Sequence, residues 1–452
     1  MEEKTNQKKI LVAGGGISGV GAAGMLLRTG EPVILYDGNE KLDRTALAAS
    51  FGETVPEIVL GELTDEVISQ VRACVISPGI PLRAPFVQKL KAAGIPIWSE
   101  IEAAYRHGKG RLAAVTGTNG KTTTTALTGE ILKAYYPSVF VVGNIGTAYT
   151  EKALEMTEES VTAAEVSSFQ LETIDTFHPN VSVILNITPD HLDRHGSMEE
   201  YIRVKELVTK NQGIGDTCVL NYEDEILREF GKTLNGVRVL YFSSRQRVPG
   251  SVYLEKDEIV SELSGVRETV ARTGELRILG VHNYENAMAA VLASDALGVP
   301  MDVIRRALKE FQAVEHRIEF VVEKDGVAYY NDSKGTNPDA AIQGIRAMVR
   351  PTVLIGGGYD KGAVYGDWIR AFDGKVKKLI LLGQTAEKIA AEAESLGFTD
   401  FCFAQSMEDA VEKAKETAVP GDAVLLSPAC ASWGMFKNYE ERGRVFKELV
   451  KK

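Results

Sequence analysis

The sequence predicts an α/β protein of three domains, each built on a mainly parallel sheet. Three observations carry that prediction. Short apolar runs of strand length alternate with helical segments along the chain. Many of those runs end in polar, glycine-bearing loops, the kind that follow strands in such sheets. At the usual ~100–200 residues per domain, a chain of 452 residues also exceeds a single domain.

Composition narrows the function classes. Hydrophobic residues make up 44% and charged residues 25%, which excludes a disordered, collagenous or coiled-coil chain. Apolar runs such as LILL at 379–382 and AVLL at 423–426 are core-strand length. A membrane span needs about 20 apolar residues, so no membrane protein is expected. The start, MEEKTNQKK, is polar, and the ILVA after it stops at three glycines, too short for a signal peptide. A net charge of −11 argues against a nucleic-acid partner. Cys74, Cys218, Cys402 and Cys430 form no CxxC pair, as in a reduced cytosolic protein without a thiolate zinc site.

The elements follow in order. KKILVA (8–13), PVILYD (32–37), ACVISPG (73–79) and IPIW (95–98) read as strands, with GVGAAGMLLRTG (19–30) as a helix. HGKGR (107–111) reads as a linker. A second unit starts at LAAVTGTNGKTTTT (112–125), with strands at VFVVG (139–143), TAAEVSS (162–168) and VSVILNIT (181–188). SMEEYIRVKELVTK (197–210) is an amphipathic helix. The turn-rich stretch 235–280 reads as antiparallel, and HNYENAMAAVLASDAL (282–297) as helix. A third unit opens at AVEHRIEFV (313–321), with strands at VAYYND (327–332), TVLIGG (352–357), KLILLG (378–383) and AVLLSP (423–428). The expected domains are residues 1–105, 106–313 and 314–452.

GGGISG (14–19) follows a strand and opens a helix, and Asp37 ends the next strand. Glycines there let backbone N–H groups approach a pyrophosphate, while the acid takes a ribose hydroxyl. The pattern fits NAD, another nucleoside diphosphate, or a ligand-free turn. TGTNGKTT (116–123) ends in the GKT of a phosphate loop, although Val115 stands where the strict pattern has its first glycine. Its N–H groups would cradle phosphates, Lys121 would neutralise them and Thr122 would hold Mg²⁺. Glu165, at a strand end, is a candidate magnesium carboxylate. Asp190, His191, Asp193 and His195 cluster in ITPDHLDRHG, also past a strand end. NDSKGTNPD (331–339), GGGYDKG (356–362) and SPACASWGMFKNYEERG (427–443) are three polar loops expected on one sheet edge.

Taken together, TGTNGKTT, EVSSFQLE, NITPDHLDRHG, HNYENA, HRIE and NDSKGTN occur here in the order found in the Mur ligases. The chain resembles that family over nearly its whole length. GGGISG, SPGI (77–80), NDSKGTN and SPACASWGMFKNYEERGRVF (427–446) resemble the branch that adds D-glutamate. GGGYDKG stands where diaminopimelate- or lysine-adding relatives carry a DNPR-type segment. The resemblance implies a Rossmann-like N-terminal sheet, a central P-loop ATPase-like domain and a Rossmann-like C-terminal domain.

The resemblance also implies residue roles. Ile17, Ser18, Asp37 and Gly79 would contact the uridine diphosphate part of the substrate, and Asn144 its muramoyl part. Gly117, Thr118, Asn119, Gly120, Lys121, Thr122 and Thr123 would bind ATP phosphates. Asn286, Arg317 and Asp332 would hold adenine, phosphate and ribose. Two Mg²⁺ ions would sit on Thr122, Glu165, His191 and a carbamylated Lys205. Lys334, Thr336, Lys361, Ser432, Trp433 and Tyr439 would form the D-glutamate pocket. Lys121, Lys205, His191 and Lys334 would be catalytic.

The implied reaction joins D-glutamate to UDP-N-acetylmuramoyl-L-alanine through an acyl phosphate. It is a cytoplasmic step of peptidoglycan precursor synthesis, run by a monomer with no nucleic-acid or membrane partner. Three other readings stand beside it. One is a Mur-type or folylpolyglutamate-type ligase with another amino acid. The second is a nucleotide-switched regulator without ligation. The third is an NAD-dependent oxidoreductase, which leaves TGTNGKTT without a role.

Overall fold

The computed structural model describes residues 8–144, 146–312 and 314–452. Most of the polar N-terminal stretch lies outside them, as does position 313, where the central domain was expected to end. The contact pattern gives two compact units: Met1–Val270 with Glu285–Ala307, and Ala271–Tyr284 with Leu308–Lys452.

The first unit holds two sheets. The first is five-stranded: β1 (Lys9–Ala13), β2 (Val33–Asp37), β3 (Glu57–Leu60), β4 (Val71–Ile76) and β5 (Ile97–Ser99). Its spatial order is β3-β2-β1-β4-β5, all parallel, as in half of a Rossmann fold. β1 and β4 are buried over most of their length, as a sheet covered on both faces requires.

The second sheet contains β6 (Arg111–Thr116), β7 (Val139–Gly143), β8 (Val161–Glu165), β9 (Val181–Ile184), β10 (Thr217–Asn221), β11 (Arg238–Ser243), β12 (Val252–Glu255), β13 (Glu258–Ser261) and β14 (Glu268–Arg272). Their order is β14-β13-β12-β11-β10-β9-β6-β8-β7. The stretch expected to be antiparallel is so only in part. β11 pairs parallel with both neighbours, and antiparallel pairing begins between β12 and β13.

The second unit carries β15 (Glu319–Lys324), β16 (Val327–Asn331), β17 (Thr352–Gly356), β18 (Val376–Leu382), β19 (Phe401–Ala404) and β20 (Ala423–Leu426). The order is β15-β16-β20-β17-β18-β19, parallel except for β15 on its edge. Among the described residues no helix is long and apolar enough to cross a membrane. All four cysteines are free thiols.

Within the first unit the two sheets share one apolar core, running from Val12 and Met25 through Ala114 and Phe177 to Cys218. The helix Glu100–Tyr105 is the connection. Buried Glu102 accepts the N–H groups of Asp175, Thr176 and Phe177, the Thr176 hydroxyl at 2.6 Å, and Arg106 Nε at 2.7 Å. Burial alone would raise its pKa. The hydrogen bonds reverse that and hold it below the ordinary value.

Glu100, two residues earlier, is the opposite case. One of its oxygens accepts Gln170 Nε2 at 2.6 Å, and Oε2 has no hydrogen-bond partner among the described residues. Burial pushes it up to about 7. Between pH 4.5 and 7 the folded state then binds more protons than the unfolded one, so stability falls as pH rises through that window. Denaturant midpoints between pH 5 and pH 8 should show this fall. Glu100→Gln, which cannot ionise, should flatten it, and an unchanged slope in the variant would show that another group is responsible.

Candidate active site

Ligand sites in open parallel sheets lie at the carboxyl ends of the strands, where the strand order reverses. Each sheet has such a point. In the first, β1 lies between β2 and β4. Pairing sets Ala13 beside Ile76, so the glycine turn adjoins the loop after β4, with Ser77 N–H donating to the Ala13 carbonyl. A Cβ on Gly19 would stand 1.8 Å from the Gly14 carbonyl oxygen, so only glycine closes this strand–helix turn. Ile17 opens the helix Ile17–Arg28 and is 85% exposed. Asp37, expected to hold a ribose hydroxyl, also supports the turn, since its two oxygens accept Gly15 N–H (2.7 Å) and Asn39 N–H (2.9 Å).

In the second sheet β6 lies between β8 and β9. Val115 stands opposite Glu165, and Thr116 opposite Ile184. Three expected pieces therefore meet: the phosphate loop, the Glu165 loop and the loop after β9. The phosphate loop is fixed from its side, because Asn119 N–H donates to Asn186 Oδ1 (2.8 Å) and the Thr118 hydroxyl to the Thr188 carbonyl (3.1 Å). Gly120 precedes the helix Lys121–Lys133 at φ +87°, with no side chain capping that helix. A Cβ on Gly120 would come 2.2 Å from Asn286 Oδ1, which also accepts the Thr124 hydroxyl at 3.3 Å. The uncapped amides and their dipole favour an anion.

Two lysine side chains reach this loop. Lys121 Nζ donates to the carbonyls of Gly117 (2.9 Å) and Thr118 (2.8 Å). Lys205, on the helix Met198–Glu206, donates to the same Gly117 carbonyl at 2.8 Å and is only 1% exposed. Burial, then Lys121, hold the Lys205 amine well below its ordinary pKa, with Asp190 opposing.

The loop after β9 carries the acid–histidine cluster. His191 sits at φ +52°, with Nε2 3.5 Å from Asp190 Oδ2. Phe169 packs on both His191 and His195. His195 is a structural member: Nε2 meets Ser168 Oγ at 3.0 Å, Nδ1 lies 3.3 Å from Glu172, and burial lowers its pKa. Glu165 is buried and takes Asn144 Nδ2 on Oε1 at 3.2 Å.

In the second unit the loops after β16, β17 and β20 follow adjacent strands, as the sequence led one to expect. They are tied by Gly357 N–H to the Pro428 carbonyl and Tyr359 N–H to the Ala431 carbonyl. Lys361 Nζ stands 4.3 Å over the Trp433 ring, which Tyr359 also meets. Lys334 Nζ lies 5.4 Å over the Tyr439 ring. Ser432 is buried, while Thr336 is half-buried with its N–H on the Lys334 carbonyl. Asp332 is turned inward: Ser427 Oγ donates to it at 2.6 Å, and burial raises it to about 7 against the pull of Arg317. His282, of the HNYENA motif, is lowered to about 4 by burial and by Arg317.

Arg442 was missed from sequence. Its buried guanidinium donates to the Ser333 hydroxyl (3.0 Å) and carbonyl (2.7 Å) and to the Cys430 carbonyl (3.0 Å). Burial lowers it to about 10. A signal was present: Arg442 shares a helical stripe with buried Phe446 and Val450, where an unpaired charge is costly.

Three family models match the chain: Mur ligase MurD-like, N-terminal domain (residues 8–99), Mur ligase middle domain (115–294), and Mur ligase, glutamate ligase domain (316–430). The chain belongs to the Mur ligase family. It is 52% identical over 444 residues to the UDP-N-acetylmuramoylalanine–D-glutamate ligase of Lachnospira eligens, covering 98% of each chain. The corresponding protein of Lachnoclostridium phytofermentans is 53% identical, again with 98% of each covered. The crystal structure of the UDP-N-acetylmuramate–alanine ligase of Thermotoga maritima shares the fold at a TM-score of 0.61 and 22% identity, covering 98% of this chain and 99% of that one.

Gly120→Ala should abolish nucleotide binding by this Mur ligase, because it combines a left-handed φ with the Asn286 clash. Titration with ATP while circular dichroism is monitored tests this. Ordinary binding by a folded variant would show that the loop tolerates the side chain.

Proposed function

We propose that this chain joins D-glutamate to UDP-N-acetylmuramoyl-L-alanine at the expense of ATP, in a cytoplasmic step of peptidoglycan precursor synthesis. The observation that carries the reading is full-length identity of 52–53% to relatives bearing that name. The three-domain division at 105/106 and 313/314 and a monomeric state belong to the same proposal.

The substrate carboxylate attacks the γ-phosphorus, giving an acyl phosphate and ADP. The amine of D-glutamate then attacks the acyl carbonyl, phosphate leaves, and the new amide loses a proton. The chain's task is to bring several anions together. Lys121 would exchange its loop carbonyls for ATP oxygens. Gly117–Thr123 would present N–H groups, and Asn286 would brace the loop while reaching the base. Arg317 and Asp332, in the second unit, would be nucleotide-binding residues by the family resemblance. Ile17, Ser18, Asp37 and Gly79 would hold the uridine diphosphate, and Asn144 the muramoyl part.

Magnesium ions, when bound, neutralise phosphate oxygens and fix their geometry. Thr122, Glu165 and His191 would hold them, together with a carbamate on Lys205. This oxygen-rich set, with one carboxylate already buried, fits a hard cation. The carbamate reading comes from the family resemblance, and the surroundings of Lys205 support it. A neutral amine adds carbon dioxide and releases a proton, and burial beside Lys121 favours the neutral amine. A ¹³C carbamate resonance should therefore appear after exposure to ¹³C-bicarbonate and be missing from Lys205→Ala. Full activity of that variant without additives would refute the role.

For the amino acid, Lys361 and Ser432 with Thr336 would divide two carboxylates between separate loops, with Trp433, Tyr439 and Lys334 completing the pocket. Charge-assisted bonds contribute roughly 1.5–3 kcal/mol each, enough to reject a neutral amino acid. ADP release should require both the nucleotide substrate and D-glutamate. Lys361→Ala should raise the KM for glutamate at least about tenfold and leave that for ATP near normal. Turnover with L-alanine, lysine or diaminopimelate but not with D-glutamate would overturn the assignment.

A further inference from the structure

The loop 77–80 belongs to the first sheet, but its backbone is held by a side chain from the second. Arg194 lies in the short helix Leu192–His195, beside His191. Its mostly buried guanidinium donates through Nη1 to the Pro78 carbonyl at 3.3 Å. Through Nη2 it donates to the Ile80 carbonyl at 3.0 Å and to Glu172 Oε2 at 2.9 Å. Its Cζ stands 4.7 Å over the Phe169 ring.

These contacts constrain Gly79, the residue between the two carbonyls. In a trans peptide the C=O and N–H point in opposite directions. With the Pro78 carbonyl drawn to Arg194, the Gly79 N–H is turned to the opposite side. The Ile80 N–H is already committed to the Ser77 carbonyl at 3.0 Å. Ser77 in turn packs against the glycine turn, where a Cβ on Gly14 would stand 2.4 Å from Ser77 Oγ. The loop is therefore gripped between the glycine turn and Arg194. The grip is stiff on the Arg194 side as well, since Glu172 also approaches His195, and Phe169 meets both histidine rings.

We propose that Arg194 is a positioning residue for the nucleotide end of the substrate. It aims the Gly79 amide and fixes the 77–80 loop against the loop bearing His191, setting the reach from a bound nucleoside diphosphate to the phosphoryl-transfer end. Its own charge is matched by Glu172, so its contribution is one of geometry. The proposal rests on the function given above for the identity of the ligand.

The test uses the full-length chain and UDP as probe, followed by calorimetry, which needs no turnover. Arg194→Met should weaken UDP binding about tenfold or more, as expected when a directed donor is misaimed. It should raise the KM for the UDP-sugar substrate similarly and leave those for ATP and D-glutamate within about twofold. Arg194→Lys should recover part of the loss, but not all, because one ammonium cannot reproduce the two-armed geometry. Should the Met variant fail to fold, Arg194→Lys carries the test with an expected loss of about threefold or more. UDP affinity within twofold of the unaltered protein, or three KM values rising together with a fall in Tm, would overturn the proposal. Failure of UDP to bind the unaltered protein would overturn the nucleotide reading itself, and this inference with it.

Discussion

Two lysine side chains share one carbonyl oxygen, and much of the central site follows from that. Lys121 and Lys205 both donate to Gly117, so their nitrogens lie within about 6 Å of each other. Two unit charges at that separation repel by roughly 3 kcal/mol at an effective dielectric of 20. One of them is almost wholly out of water. That repulsion and the burial of Lys205 both favour a neutral amine at Lys205. A phosphate loop with a desolvated second lysine thus carries an electrostatic demand that a polyphosphate would meet. Asp190 moderates the field, and the Tyr201 ring lies 4.7 Å from the Lys205 nitrogen.

The three sheets solve one problem three times. Each places a polar loop at a reversal of strand order, where two neighbouring loops splay apart and leave a crevice. The loops are then pinned by side chains from elsewhere in the same unit. Asp37 pins the glycine turn, Asn186 and Asn286 the phosphate loop, and Arg442 the loops after β16 and β20. Pinning matters because a binding loop that must be ordered by its ligand binds more weakly than one already set.

Much of the site was legible because its chemistry is local. GGGISG, TGTNGKTT and ITPDHLDRHG each carry their signal within about ten residues, and each lies past a strand end where expected. The missed strands have weaker signals. Glu57–Leu60 and Phe401–Ala404 are four-residue edge strands, half exposed, without the continuous apolar run of a buried strand. Thr217–Asn221 is buried but short, and no glycine loop follows it. Asp37 and Asp332 were legible as polar residues at strand ends. Their commitment to backbone and to Ser427 depends on partners that spacing does not reveal.

By itself the sequence determined the α/β class, the strand–loop rhythm, the phosphate loop and the family, because these rest on periodicity and on residue types a few positions apart. Tertiary structure alone decided which lysine loses its water, which carboxylate keeps a proton and which arginine holds which loop. Lys205 lies 88 positions from the carbonyl it meets, Arg194 lies 116 from Pro78, and Arg442 lies 109 from Ser333. Desolvation and long-range hydrogen bonds are properties of where the chain returns to itself, and a linear pattern carries no measure of that return.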